Sequence, residues 1–150
     1  MKISEVIKPE GVTIDMSVSS KGQLLRLLSQ KAADALGVGE HDILAALQSR
    51  EDLGSTGVGA GIAIPHAAVV GIEEPFGLFV RLAKPVEFDA LDEEPVDIVC
   101  LILTPPESQS PCLRLLSAIA RQLRSPDAVK RIRSARDSGH VYSAITEFDC

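Results

Sequence analysis

The sequence predicts an α/β fold: a single-domain sandwich in which helices flank a mixed β-sheet, with the core at about residues 3–147. Three observations carry that prediction. Residues 96–103 form an almost unbroken apolar run, the pattern of a central strand covered on both faces. Two helical patterns precede that run and more follow it, so helices are available for both faces of a sheet. Finally, 150 residues with 45% hydrophobic and 24% charged side chains suffice to bury about two-thirds of the unfolded surface without staples.

The elements follow in chain order. Between Ser19 or Ser20 and Gly37, the residues Leu24, Leu27, Leu28, Ala32 and Ala35 recur at helical spacing, with a serine as N-cap and Gly37 as the stop. A shorter helix over residues 42–49 buries Ile43, Leu44 and Leu47 and delivers Arg50 to a glycine-rich loop. Strand patterns cover residues 61–64, 77–82 and 96–103. The acidic stretch 87–94 reads as a solvated connection with Asp89 and Glu93 as ordinary surface, since a Ca²⁺ loop needs a tighter ligand pattern around a glycine turn. Ser110-Pro111 is an N-cap and first-turn pair for a helix with Leu113, Leu116, Ile119, Ala120 and Leu123 inward. Ser125-Pro126 opens another through about Ala135, with Val129 and Ile132 inward, and a last short helix covers residues 141–145. There is no internal repeat.

Composition narrows the function. A formal net charge of −6, 3% aromatic residues and no Trp argue against nucleic-acid binding, which relies on neutralised phosphates and stacking platforms. The C-terminal third is nonetheless basic, with Arg114, Arg121, Arg124, Lys130, Arg131, Arg133 and Arg136, which makes a solvated helical surface or an electrostatic docking patch. No stretch approaches the roughly 20 apolar residues of a membrane span, and the N-terminus lacks a signal peptide's apolar core, so a cytoplasmic protein is expected. Cys100, Cys112 and Cys150 are odd in number and far apart, which predicts reduced thiols and no metal site, and nothing calls for a cofactor.

The chemistry concentrates in residues 50–67, where Arg50-Glu51-Asp52-Leu53 leads into GSTGVGAGIAIPHA. Dinucleotide fingerprints and P-loops follow a strand and open a helix, and the P-loop ends in Lys; here the glycines precede a strand and no Lys follows. A lone histidine at a strand end is ordinarily structural, and His41 and His140 are read that way. His66 differs in its context. An imidazole, with an ordinary pKa of ~6.5, offers a neutral nitrogen nucleophile at neutral pH, and its P–N bond is labile enough to pass a phosphoryl group on. The backbone of Gly57, Gly59 and Gly61, the hydroxyls of Ser55 and Thr56 and the Arg50 guanidinium are candidate donors to the phosphoryl oxygens, and Pro65 fixes the backbone before the nucleophile.

These same residues resemble a known family. Arg50 with Glu51, Gly54-Ser55-Thr56-Gly57 and Gly61-Ile62-Ala63-Ile64-Pro65-His66 look like the signature of enzyme IIA of the phosphoenolpyruvate-dependent phosphotransferase system, fructose/mannitol type. Ser20-Lys21, Phe88-Asp89-Ala90-Leu91-Asp92 and Pro95-Val96-Asp97 look most like its nitrogen-regulatory branch, IIA-Ntr, and the resemblance runs from about Ile3 to Ile145. It implies a phosphoryl group arriving on His66 from an HPr-type phosphocarrier with Arg50 assisting. Sugar-transport members pass the group to an enzyme IIB, whereas nitrogen-regulatory members signal by binding regulatory target proteins according to phosphorylation state. No IIB or membrane IIC segment is fused here, which favours regulation.

One position departs from the family: members commonly carry a second histidine, close to the active one, where this chain has Cys112. A thiol is a poorer donor and carries no positive charge, so slower transfer or a less stable phosphohistidine is expected. Cys112 near a helix N-terminus also suggests a depressed thiol pKa and redox sensitivity, against the plainer reading of a small buried substitute. Three alternatives accompany the carrier reading: a non-phosphorylated interaction module on the same fold, the IIA component of a sugar transporter, and a small enzyme using His66 with Glu51 or Asp52 as acid/base.

Overall fold

The computed structural model describes residues 2–107 and 109–147. Its organising element is strand β6 (Val96–Thr104), whose side chains alternate between two buried faces. Val99, Leu101 and Leu103 point into one apolar layer, and Ile98, Cys100 and Ile102 into the other. This two-sided burial is why the segment carries an unbroken apolar run.

The sheet has 6 strands and is mixed. β5 (Phe76–Val86) pairs antiparallel with β6, and β1 (Val12–Met16) runs parallel to β5 at one edge. On the other side of β6 lie β3 (Ile62–Ala63) and β4 (His66–Ala68), both parallel to β6 and in line along it, and β2 (Gly57–Gly59) closes that edge against β3. Pro65, lacking an N–H, separates β3 from β4, yet its carbonyl still accepts from the Ile102 N–H at 3.0 Å. His66 is thereby placed opposite Ile102 in the ladder.

One face is covered by α2 (Lys21–Leu36) and α3 (Glu40–Asp52), through Leu24, Leu25, Leu28, Ile43 and Leu47. Ser20 caps α2 by accepting from the Gln23 N–H at 3.1 Å, and Gly37 ends it at φ +71°, a left-handed conformation that glycine adopts without a Cβ penalty. The predicted Leu24, Leu28 and Ala32 are buried and Leu27 is half-buried, but the stripe also takes in Leu25 and Ser29 while Ala35 is exposed, the Ser29 hydroxyl donating to the Leu25 carbonyl at 2.8 Å. Helix α3 exceeds the predicted 42–49 at both ends, because Glu40 and Asp42 favour the first turn and no breaker follows Ser49. Arg50 and Glu51 are therefore helical.

The opposite face is covered by the one-turn helix α1 (Ile3–Val6) together with α4 (Gln109–Gln122), α5 (Pro126–Ser134) and α6 (Ser138–Thr146). Ser125 and Asp137 cap α5 and α6 by accepting the Ala128 and His140 N–H groups. Helix α4 begins at Gln109, so Ser110 lies inside its first turn rather than capping it. Its phase also differs from the predicted one. Cys112, Leu115, Ile119 and Leu123 are buried, whereas Leu113 is 62% exposed and Leu116 and Ala120 are half-buried. The helix carries two adjacent apolar stripes, and periodicity alone cannot say which of them faces a sheet. Cys150 lies outside the described residues.

Candidate functional site

Three segments converge on the loop between α3 and β2. The last turn of α3 brings Arg50 and Glu51, the N-terminus of α2 brings Lys21, and the connection from β5 to β6 brings residues 88–92. Glu51, its side chain 6% exposed, accepts from the Thr56 N–H at 3.0 Å and from the Thr56 hydroxyl, and pairs with the Lys21 ammonium at 3.0 Å. Lys21 lies 4.6 Å from the Phe88 ring centroid, a cation–π contact, and 3.9 Å from Asp89. The Ser55 hydroxyl donates to the Phe88 carbonyl at 2.8 Å and accepts from the Gly57 N–H at 3.0 Å. The Asp92 carboxylate accepts from the Ala60 N–H at 2.9 Å and the Glu94 N–H at 3.1 Å, and these bonds hold its pKa below the ordinary carboxylate value. The 88–92 segment is thus a strap over the glycine loop, with Phe88 and Ala90 buried, rather than a solvated connection throughout.

Held this way, the loop fixes Arg50 and His66 against one another. The Arg50 guanidinium donates through Nη1 to the Gly54 carbonyl at 2.8 Å, and its Nε–H points at His66 Nε2 at 3.4 Å. On the other side of the ring, His66 Nδ1 lies 2.8 Å from the Ile64 carbonyl. A carbonyl only accepts, so Nδ1 carries the proton, and Nε2 keeps its lone pair toward the guanidinium. The imidazole is half-buried and lines an open cavity of about 440 Å³ whose other walls include Arg50, Thr56, Leu116, Arg121 and Arg124.

The predicted residues divide accordingly. Arg50 and His66 meet, and Ser55 and Thr56 line their cavity with both hydroxyls engaged by protein partners. Gly57, Gly59 and Gly61 do not line it; they shape the β2–β3 hairpin. A Cβ on Gly57 would sit 2.8 Å from that of Ala90, and one on Gly61, already at φ +82°, would sit 2.5 Å from an Arg133 nitrogen. Cys112 is 3% exposed and is not among the residues lining the His66 cavity; burial pushes its thiol pKa up, opposite to the depressed value expected of a redox-sensitive thiol. The sequence reading missed Lys21 as a partner of Glu51, and missed that Leu113, Leu116, Ser117, Ala120 and Arg121 of α4, with Arg124 just past its end, line the His66 cavity. Their i, i+3, i+4, i+7, i+8, i+11 spacing was the available signal.

A half-buried imidazole facing a guanidinium on a mixed-sheet sandwich sets the class of protein to look for, and the comparisons with known proteins name it. The chain belongs to the family of the phosphoenolpyruvate-dependent sugar phosphotransferase system EIIA 2, matched over residues 5–148. Within it, the chain is similar to a nitrogen regulatory protein of Bradyrhizobium diazoefficiens, 41% identical over 145 residues that cover 97% of this chain and 95% of that protein. The crystal structure of IIA-Ntr from Neisseria meningitidis superposes with a TM-score of 0.92 at 30% identity, covering 96% of this chain and 99% of that one. The mannitol IIA of Escherichia coli, solved in complex with phosphorylated IIB, shares the fold at a TM-score of 0.77 and 15% identity, over 92% of this chain and 95% of that one. Among the described residues, no helix is long and apolar enough to cross a membrane.

Proposed function

We propose that this chain is a phosphohistidine carrier and regulator of the nitrogen-regulatory IIA type, acting in the cytoplasm as one domain with its core at about residues 3–147. An HPr-type phosphocarrier donates the phosphoryl group. The Nε2 lone pair of His66 attacks phosphorus, the bond from phosphorus to the donor's nitrogen breaks, and that electron pair returns to the donor ring. Nδ1 keeps its proton on the Ile64 carbonyl throughout.

The observation that carries this reading is the pair of partners on the ring: an acceptor at Nδ1 and a cationic donor at Nε2. Arg50 then stabilises charge on the equatorial oxygens, while Ser55, Thr56 and the hairpin glycines shape the loop that holds it. Regulation is favoured over sugar uptake by the nitrogen-regulatory relatives, and the output is protein binding that depends on phosphorylation state. A phosphoenolpyruvate-driven relay labels the protein with acid-labile, base-stable phosphate, and His66→Ala abolishes the label. An unlabelled wild-type protein that still binds its targets would instead establish the interaction-module alternative.

A further inference from the structure

A larger groove, of about 1030 Å³, opens beside the His66 cavity between the β2–β3 hairpin and the α4–α5 corner. Its walls are apolar through Val58, Leu91, Leu123 and Val129, and Val58 and Leu91 are 52% and 83% exposed. Arg124 and Lys130 stand on its rim, and neither side chain has an ion pair or hydrogen bond among the described residues. Two nearby charges are already spent: Arg133 is bound to Asp97 and to the Ala60 carbonyl, and Asp92 to backbone N–H groups. On a chain of net charge −6, a groove with unpaired cations above aliphatic walls is locally complementary to carboxylates joined to aliphatic side chains.

We propose that this groove docks an acidic, aliphatic segment of a partner protein, and that Arg124 couples this docking to the state of His66. Arg124, Val58 and Ala120 line both the groove and the His66 cavity, so the two spaces share a wall. A phosphoryl group on His66 brings up to about two negative charges to that wall, which attract Arg124 and repel the partner's carboxylates. Linkage makes the effect reciprocal: a bound acidic segment disfavours phosphate on His66 by the same factor. The docking half stands on the groove alone; the coupling half rests on the carrier reading.

The test uses the full chain and two synthetic amphipathic peptides, one of Glu and Leu and one of Lys and Leu, followed by amide chemical shifts and calorimetry. The Glu/Leu peptide shifts the resonances of Val58, Leu91 and Val129, and Lys130→Glu weakens it about tenfold or more while leaving the folded spectrum intact. No shift in the groove, equal binding of the two peptides, or indifference to Lys130→Glu overturns the docking. For the coupling, His66→Asp places a fixed carboxylate in the cavity whether or not phosphate is ever accepted. It weakens the Glu/Leu peptide about fivefold or more, and Arg124→Gln removes that difference. Equal affinity for wild type and His66→Asp overturns the coupling, whereas failure of relay labelling alone bears only on the carrier reading.

Discussion

The Nε–H of Arg50 points at Nε2 of His66 across 3.4 Å, while the same guanidinium is anchored through Nη1 to the Gly54 carbonyl at 2.8 Å. Two nitrogens of one rigid fork therefore serve two jobs, and a lysine's single ammonium cannot reproduce both. Arg50→Lys is expected to slow relay phosphorylation of His66 about 10²-fold, the scale of losing one oriented donor to a developing charge. Rapid-quench labelling measures it. A rate within twofold of wild type would mean that charge alone suffices.

Glu51 is the carboxylate on which the loop is hung. Glu51→Ala leaves the Thr56 N–H and hydroxyl and the Lys21 ammonium without their common acceptor, at a cost of about 1–3 kcal/mol for the groups left unpaired. Urea unfolding should show that loss, and labelling should fall with it because Arg50 is the neighbouring residue on the same turn. Glu51→Gln retains one acceptor oxygen and is expected to fall between the two. Unchanged labelling in Glu51→Ala would show that the loop keeps its shape without this anchor.

Gly57 is glycine because of the strap. Its missing Cβ would lie 2.8 Å and 2.9 Å from the Ala90 Cβ and Cα, so Gly57→Ala forces backbone apart and should cost about 1–3 kcal/mol. Gly22, in the first turn of α2, has only the Ser20 hydroxyl at 3.9 Å in the same test. Gly22→Ala should be neutral or stabilising by up to about 1 kcal/mol. Thermal melts of the two variants compare them directly.

Stability should decline at alkaline pH through Cys100. Burial pushes its pKa from 9.0 up to about 12, so in the folded protein the thiol stays protonated where the unfolded chain ionises. Above pH 9 the unfolded state binds fewer protons than the folded one, and the stability of the fold falls as pH rises from 9 toward 12. Cys100→Ala creates a small cavity but removes this slope. Denaturant unfolding of both proteins at pH 7 and at pH 10 should show the gap between them narrowing at the higher pH; a constant gap would contradict the assignment.

How much of this was legible beforehand depends on the range of the interaction. The apolar run of β6, the serine and glycine ends of α2 and the Ser125-Pro126 start of α5 are local signals, and they appear as read. Arg50 and His66 were each legible as site candidates because one short motif holds both, but that the guanidinium reaches the ring rests on tertiary packing and is visible only in the structure. The edge strand β1, the phase of α4 and the strap at residues 88–92 were not, since each depends on a partner far along the chain. The Lys21–Glu51 and Ser55–Phe88 contacts are the plainest cases: each residue lay in a noted motif, but only packing of α2 and the β5–β6 connection against the loop reveals what it holds.

The central claim is that His66 carries phosphate on Nε2 while Nδ1 keeps its proton on the Ile64 carbonyl. Imidazole ¹H–¹⁵N correlation spectra of the relay-phosphorylated protein test it most directly. The expected result is phosphorus coupling at Nε2 with a protonated, hydrogen-bonded Nδ1. Phosphate on Nδ1, or a fully phosphorylating relay that leaves His66 unmodified, would contradict it.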